Sequence, residues 1–190
     1  MGARERLRWV FLVVVALSAC GCSQQNAASP PWVEVSSDLN NPGASTVLHF
    51  TVGQAQASSG RRAMIAIIYP QSQDGTVEHC VRRSEPAFRV AVIRSAAPSS
   101  VSIAVEDDRT ILAHAGKAKA PPDAGPASAP DIARVALATT DGKTALALIA
   151  GFRAAEAGSY TATITPLDSK SCFKGVATRV TVGEFYNTGK

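Results

Sequence analysis

The segment Tyr160–Thr165, with the sequence YTATIT, alternates apolar and threonine side chains without interruption. Successive side chains of a β-strand point to opposite faces, so a period of two indicates a strand with one buried face. An apolar stretch of strand length, Ala63–Tyr69, lies earlier in the chain. Three further runs repeat the alternation: Leu48, Phe50 and Val52; Val101, Ile103 and Val105; and Val176, Val180 and Val182.

Turn signals separate these runs, namely Gln73–Gly75, Glu106–Asp108 and Thr140–Lys143. Asp-Gly pairs supply the positive φ angles that hairpins need. Aromatic residues make up only 6% of the chain, so Val, Ile, Leu and Ala should fill the core. Short strands with frequent turns favour an all-β sandwich or barrel, and we predict an immunoglobulin-like antiparallel β-sandwich.

Residues 143–157 are ambiguous, because they are rich in helix-forming Ala and Leu, yet Leu146 and Leu148 also alternate. We predict a strand ending near Gly151, followed by a short helical turn over Arg153–Ala157. The next residues, Glu156–Tyr160, resemble the tyrosine corner of immunoglobulin-like sandwiches, in which a tyrosine hydroxyl hydrogen-bonds backbone near the start of a strand. The alternative is a simple turn with a half-buried tyrosine.

Residues 1–19 have the layout of a secretory signal, with three arginines, an apolar run over Trp9–Leu17 and small residues at the end. The apolar run is too short for a membrane-spanning helix, which needs about 20 residues. Removing residues 1–19 leaves 16 basic and 14 acidic residues, a formal charge of +2. This balance gives no indication of a nucleic-acid partner.

The end of this segment, Leu17–Cys20, resembles the lipobox of bacterial lipoproteins. The resemblance implies that Cys20 is acylated and becomes the new N-terminus, which anchors the protein in a membrane. Gly21 stands where an aspartate retains enteric lipoproteins in the inner membrane, so we expect the outer membrane, with the domain facing the periplasm. The alternative is an ordinary cleaved signal with a free Cys20.

The polar residues after Cys20 lack periodicity and end in a double proline, so we predict a flexible tether over residues 20–31. One β-sandwich domain then covers residues 32–187, since this length suits a single core. Within the domain, residues 115–131 hold four prolines in 17 positions, which excludes helix and central strand. We predict a surface loop there.

Cys80 and Cys172 both lie in the predicted domain, and an oxidising periplasm favours their pairing as a disulfide. Turn signals near both cysteines suggest that two strand ends bring them together. Cys22 is then left over, either free or bonded to another molecule.

The sequence contains none of the familiar catalytic motifs, so we predict a protein that is not an enzyme and has no cofactor or metal. His49, His79 and His114 are scattered. His79 adjoins Cys80, but neighbouring strand residues point to opposite faces and would not form a nucleophile pair. The aspartates Asp107, Asp108 and Asp141 fit backbone roles in turns better than calcium binding.

Two basic doublets, Arg61-Arg62 and Arg82-Arg83, flank the apolar stretch Ala63–Tyr69. If they converge in space, they form a patch for an anion or a partner protein. The alternative is that each doublet is simply solvated at a strand end.

The entry segment Asp38–Gly43, the strands Val47–Val52 and Ala63–Tyr69, and the late turn Gly158–Tyr160 resemble a family of uncharacterised proteobacterial lipoproteins, each a single β-sandwich of unknown function. The chain departs from that family in its proline-rich insertion. The resemblance implies fold and location, and no catalytic residues.

The hypothesis that follows is a lipid-anchored periplasmic protein that recognises another protein. One form of it is an immunity-type lipoprotein that blocks an incoming toxic effector, by analogy of size, address and fold. The alternative is an envelope-assembly module or a carrier of a small apolar ligand, and an unknown enzyme is the third hypothesis. A deep internal pocket would favour the carrier, and a solid core with an exposed patch would favour protein binding.

Overall fold

A computed structural model describes residues 32–96, 98–107, 131–168 and 172–184, with only the backbone given for 137–139. The predicted signal segment 1–19, the lipid-attachment residue Cys20 and the tether 20–31 lie outside these residues, as does all of the predicted loop 115–131 except Asp131. In the described part of the chain there is no helix long and apolar enough to cross a membrane.

The chain forms eleven strands and two short helices in the described residues. In order they are β1 (Val33–Ser37), β2 (Thr46–Val52), α1 (Gln54–Ser58), β3 (Arg62–Pro70), α2 (Thr76–Ser84), β4 (Ala87–Arg94), β5 (Val101–Ile103), β6 (Val105–Glu106), β7 (Ile132–Arg134), β8 (Ala136–Thr140), β9 (Thr144–Arg153), β10 (Gly158–Pro166) and β11 (Thr178–Glu184).

Two antiparallel sheets face each other, which confirms the predicted β-sandwich. The first has the order β1-β11-β3-β9, with β6 and β8 pairing with different parts of the outer edge of β9. The second has the order β2-β10-β4, with β5 and β7 sharing the outer edge of β4 in the same way.

The chain changes sheets twice along one side of the sandwich. The run that begins as β5 in the second sheet continues as β6 in the first, and the run that begins as β7 continues as β8. The predicted single strand over Val101, Ile103 and Val105 is wrong, because the chain crosses between sheets at Ala104.

The alternating segments fill the space between the sheets. Tyr160, Ala162 and Ile164 of β10 are at most 1% exposed, and their threonine neighbours lie on the outer face, as the alternation predicts. Leu48, Phe50 and Val52 of β2 are buried in the same way. The inward side chains of both sheets form one continuous core cluster.

Aromatic rings join the sheets at one end of this core. The ring of Phe50 lies 5.9 Å from Trp32, 6.0 Å from Phe152 and 5.7 Å from Tyr160, measured between centroids. The Tyr160 hydroxyl donates a hydrogen bond of 2.6 Å to the Glu156 carbonyl, so the tyrosine corner is confirmed.

Three local predictions are wrong. Cys80 lies in helix α2 rather than in a strand, because the Asp74-Gly75 turn leads into a helix instead of a hairpin. The helical turn predicted over Arg153–Ala157 is absent, since β9 continues to Arg153 and an irregular bend follows. Val176 precedes β11 and so does not continue the alternation of Val180 and Val182.

Candidate functional site

The two ends of the sandwich have different contents. The first end, here called the Trp32 end, holds Trp32, the α1 segment and the bend after β9. The opposite end, here called the α2 end, holds helix α2, the turn after β1, the β8–β9 turn and residues 172–177. Strand β3 runs from the Trp32 end to the α2 end, and its nine residues span about 27 Å.

Helix α2 begins from a turn that only glycine adopts easily. Gly75 precedes the helix with φ of +71°, in the left-handed region, and Asp74 accepts a hydrogen bond from the Thr76 amide. The helix then buries one side: Val81 is fully buried and Val77 packs against the core. Val77 and Val81 are four residues apart, a spacing typical of a helix. The prediction of a hairpin at Asp74-Gly75 did not take this spacing into account.

A buried carboxylate fixes the first turn of α2. Glu78 is only 5% exposed and accepts hydrogen bonds from the Ser72 amide at 3.1 Å and from the Ser72 hydroxyl. The Ser72 hydroxyl oxygen also accepts a hydrogen bond from the Val77 amide at 3.2 Å. Burial raises the pKa of Glu78, but these hydrogen bonds outweigh it and hold that pKa below its usual value.

Tyr69, at the end of β3, is a second polar group buried beneath α2. It is 0% exposed, and its hydroxyl has no hydrogen-bond partner among the described residues. Its ring packs edge-on against Phe173, with centroids 5.4 Å apart. Burial, together with the nearby Glu78 charge, raises the pKa of Tyr69 to about 12, although Arg82 acts in the opposite direction.

A disulfide between Cys80 and Cys172 ties the middle of α2 to the turn before β11, with 5.5 Å between the α-carbons. The predicted pairing is therefore confirmed, although it joins a helix to a turn rather than two strand ends. The Ser84 hydroxyl donates to the Cys80 carbonyl at 2.8 Å and lies 3.6 Å from each sulfur. These contacts fix α2 to the body of the fold.

The two basic doublets do not converge. Arg61 and Arg62 lie at the Trp32 end, where they form ion pairs with Glu184 at 3.3 Å and with Glu106 at 2.7 Å. Arg82 and Arg83 lie on the exposed side of α2, at the other end of β3. The hypothesis of a single patch built from both doublets is wrong, because the whole length of β3 separates them.

The scattered histidines remain apart where the structure describes them. His49 lies on the outer face of β2 beside the Thr161 hydroxyl at 3.0 Å, and His79 lies on the exposed side of α2. His114 and Asp108 lie outside the described residues. Among the described residues, no three His, Cys, Asp or Glu side chains form a group able to hold a metal.

Asp141 has the backbone role predicted for it. Its carboxylate accepts hydrogen bonds from the Lys143 amide at 2.9 Å and the Thr144 amide at 2.6 Å within the β8–β9 turn. These bonds lower the pKa of Asp141. Its carboxylate thus stabilises a turn.

An open groove at the α2 end is lined by residues of β1, the turn after it and the start of β11, including Ser36, Asp38, Asn40 and Arg179. The Asn40 amide donates to Asp38 and to the Phe173 carbonyl at 3.1 Å each, while its side-chain oxygen is buried without a partner in the described part of the chain. The guanidinium of Arg179 is held by Glu34 at 2.6 Å. The groove is open to solvent.

No family model matches the sequence, and no curated protein does. A crystal structure of a protein from Sulfurospirillum deleyianum is similar in fold, with a TM-score of 0.51, 8% sequence identity, and coverage of 84% of this chain and 100% of that one. At this identity the likeness concerns the fold alone. It supports the sandwich architecture.

Proposed function

We propose that this chain is a lipid-anchored domain of the bacterial envelope, attached through Cys20 and facing the periplasm, that works by recognising another protein. The choice between binding a protein and carrying a small apolar ligand rests on one observation: side chains fill the described space between the two sheets. Ile65, Ile67, Ile149 and Ile164, the positions that would line an internal ligand site, are each 0% exposed and belong to one packed cluster.

A carrier of small apolar molecules needs a cavity of about 300–1,000 Å³ between its sheets. Here the inward side chains of both sheets meet, and rings from both sheets pack at 5.7–6.0 Å between centroids. The described core therefore gives no support to the carrier alternative. Surface recognition remains the simplest use of such a domain, whether its partner is an incoming effector or another envelope protein.

The test of partner binding is affinity capture of the full-length, membrane-anchored protein after gentle extraction, with mass spectrometry of what it retains. The captured protein is then purified and titrated against the isolated domain. We expect one protein to be recovered and to bind saturably. Recovery of only small apolar molecules, or of proteins that show no saturable binding, would overturn the proposal.

The anchor is tested separately with Cys20→Ala. The lipobox resemblance implies that this variant stays unprocessed or mislocalised and carries no acyl mass at its N-terminus, while its folded domain still binds the same partner. If the protein that retains Cys20 yields an N-terminal peptide without acyl mass, the proposed anchor is contradicted. It would leave protein binding as a separate question.

A further inference from the structure

The described residues include nine arginines, and six of them have a partner. Five form ion pairs: Arg61 with Glu184, Arg62 with Glu106, Arg89 with Asp131, Arg94 with Glu156, and Arg179 with Glu34. Arg153 donates to the Gly60 carbonyl at 2.8 Å. Arg82, Arg83 and Arg134 have no ion pair or hydrogen-bonded side-chain partner within the described residues, and all three are exposed.

These three arginines lie in one region of the fold. Arg82 and Arg83 occupy the last turn of α2. Arg134 pairs with Ala87, the first residue of the strand that follows α2, and the Val135 amide next to it donates to the Pro86 carbonyl at 2.9 Å. The three residues are called the α2 basic cluster. Lys143 and Lys174, both exposed, lie at the same end of the sandwich.

Four of the described carboxylates at this end are bonded to their own turns or to Ser72 rather than to the cluster. Asp38, Asp74 and Asp141 accept hydrogen bonds from residues of their own turns, and Glu78 is buried against Ser72. Glu85 and Asp168 are partly buried, and Glu85 has an interaction of its own. As far as the described residues show, the guanidinium groups of the cluster are thus available to a molecule that approaches from outside.

The cluster stands on a rigid base. The Cys80–Cys172 disulfide, the Ser84 hydrogen bond and the Glu78–Ser72 contact all fix α2 to the fold, so little backbone ordering is needed on binding. Guanidinium groups present planar donors that match carboxylates, frequently in bidentate pairs. A preorganised set of free arginines therefore suits an acidic protein surface.

We propose that the α2 basic cluster is the docking surface for the partner, and that the partner presents a group of Asp and Glu side chains. This inference rests on the proposed function and specifies the chemistry of the partner. The matching charges steer the encounter and fix its orientation, so binding weakens as salt is added.

The probe is a fluorescently labelled peptide of alternating Asp and Glu, titrated by anisotropy at low ionic strength against the folded, disulfide-bonded domain. A neutral peptide of Asn and Gln and vesicles of phosphatidylglycerol are the comparison probes. We expect binding of the acidic peptide only, and we expect Arg82→Glu with Arg83→Glu to weaken it about tenfold. Arg134→Glu should weaken it about threefold.

The matched control is Arg61→Glu with Arg153→Glu, which changes the net charge by the same amount at the Trp32 end. This control should leave peptide affinity within about twofold of the original. Arg82→Lys with Arg83→Lys keeps the charge and should restore part of the affinity. Basic residues near a helix C-terminus stabilise the helix, so replacing Arg82 and Arg83 can also lower stability. Unfolding curves for every variant separate that effect from a loss of binding.

Equal weakening by the α2 variant and its control would overturn the proposal, because net charge alone would then explain the binding. Stronger binding to the vesicles than to the peptide would overturn it in favour of an anionic lipid surface. A natural partner that the Arg82→Glu, Arg83→Glu variant captures with unchanged affinity would refute this docking surface while leaving partner binding intact. Failure to capture any partner would instead count against the proposed function.

Discussion

Removing the Cys80–Cys172 disulfide should cost this domain a large part of its stability. The bond joins residues separated by 92 positions, so it restricts a long loop of the unfolded chain. The chain-entropy relation for a loop of this length gives about 4.6 kcal/mol at 25 °C. Measured losses in small secreted domains are about 2–5 kcal/mol, so we expect Cys80→Ala with Cys172→Ala to lie in that range.

The assay is urea unfolding at neutral pH, followed by fluorescence and circular dichroism. The original protein under reducing conditions should show the same loss as the double variant, because both lack the covalent link. Ser84→Ala is the local control: it removes the hydroxyl that bonds the Cys80 carbonyl and should cost only about 1 kcal/mol.

Two results would refute this reasoning. The first is an unfolding free energy of the double variant equal to that of the oxidised original, which would mean that the link does not constrain the unfolded chain. The second is a thiol count on protein recovered from the periplasm that finds both cysteines free, or either one bonded to Cys22.

Three further predictions concern buried polar groups. Tyr160→Phe should destabilise by about 1–2 kcal/mol in urea unfolding, because it leaves the Glu156 carbonyl without its 2.6 Å bond, and an unchanged midpoint would contradict this. Tyr69→Phe should be neutral or stabilising in the same assay, because that hydroxyl is buried without a partner in the described chain, and a clear loss would show that it is bonded after all. The ionised Glu78 stabilises the fold because its folded pKa is lowered; its contribution is complete above the unfolded pKa of about 4.3 and lost as pH falls through the folded value. Glu78→Gln should therefore lower stability at pH 7 and flatten its acid dependence below about pH 5, and parallel pH profiles for the two proteins would disprove the role of the Ser72 contact.

The strands were predictable where alternation and burial coincide. In β10 each inward side chain is apolar and each outward one is polar, and β2 follows the same rule from Leu48 to Val52, although Val47 before them is an exposed valine. The tyrosine corner was also predictable, since its geometry depends on a local turn and one hydroxyl. The disulfide was predicted from the proposed compartment and from the number of cysteines available.

Helix α2 was harder to predict, because Thr76–Ser84 is short and its apolar residues are few. Val81 is its one buried aliphatic side chain, and Val77 is partly buried. Glu78 is buried because it bonds Ser72, a contact that local periodicity does not encode. The sequence also gives no sign that the chain passes from one sheet to the other at Ala104 and at Val135. Alternation identifies a strand but not the sheet that it joins.

The two basic doublets show why a site predicted from sequence can include one correct pair of residues and one incorrect pair. Both are exposed or partly exposed pairs next to apolar segments, and nothing local distinguishes them. Only the fold shows that Arg61 and Arg62 meet carboxylates carried by β11 and β6, whereas Arg82 and Arg83 meet none among the described residues. The difference arises from contacts between residues distant in sequence, and it moves the candidate surface to one end of the sandwich.

The placement of that surface agrees with the proposed anchor. The chain enters the domain at Trp32, whose amide donates to the Val182 carbonyl, so the tether proposed for residues 20–31 begins at the Trp32 end. The α2 basic cluster lies at the opposite end of the sandwich, beyond the end of β3. A tether of this length spans at most about 40 Å, so an anchored domain stays near the bilayer. With its anchored end toward the membrane, the domain would turn the α2 basic cluster away from anionic lipid headgroups and toward the periplasm. The attraction between exposed arginines and the lipid surface falls off within about 8 Å in physiological salt, so in this orientation it would act only weakly on the cluster.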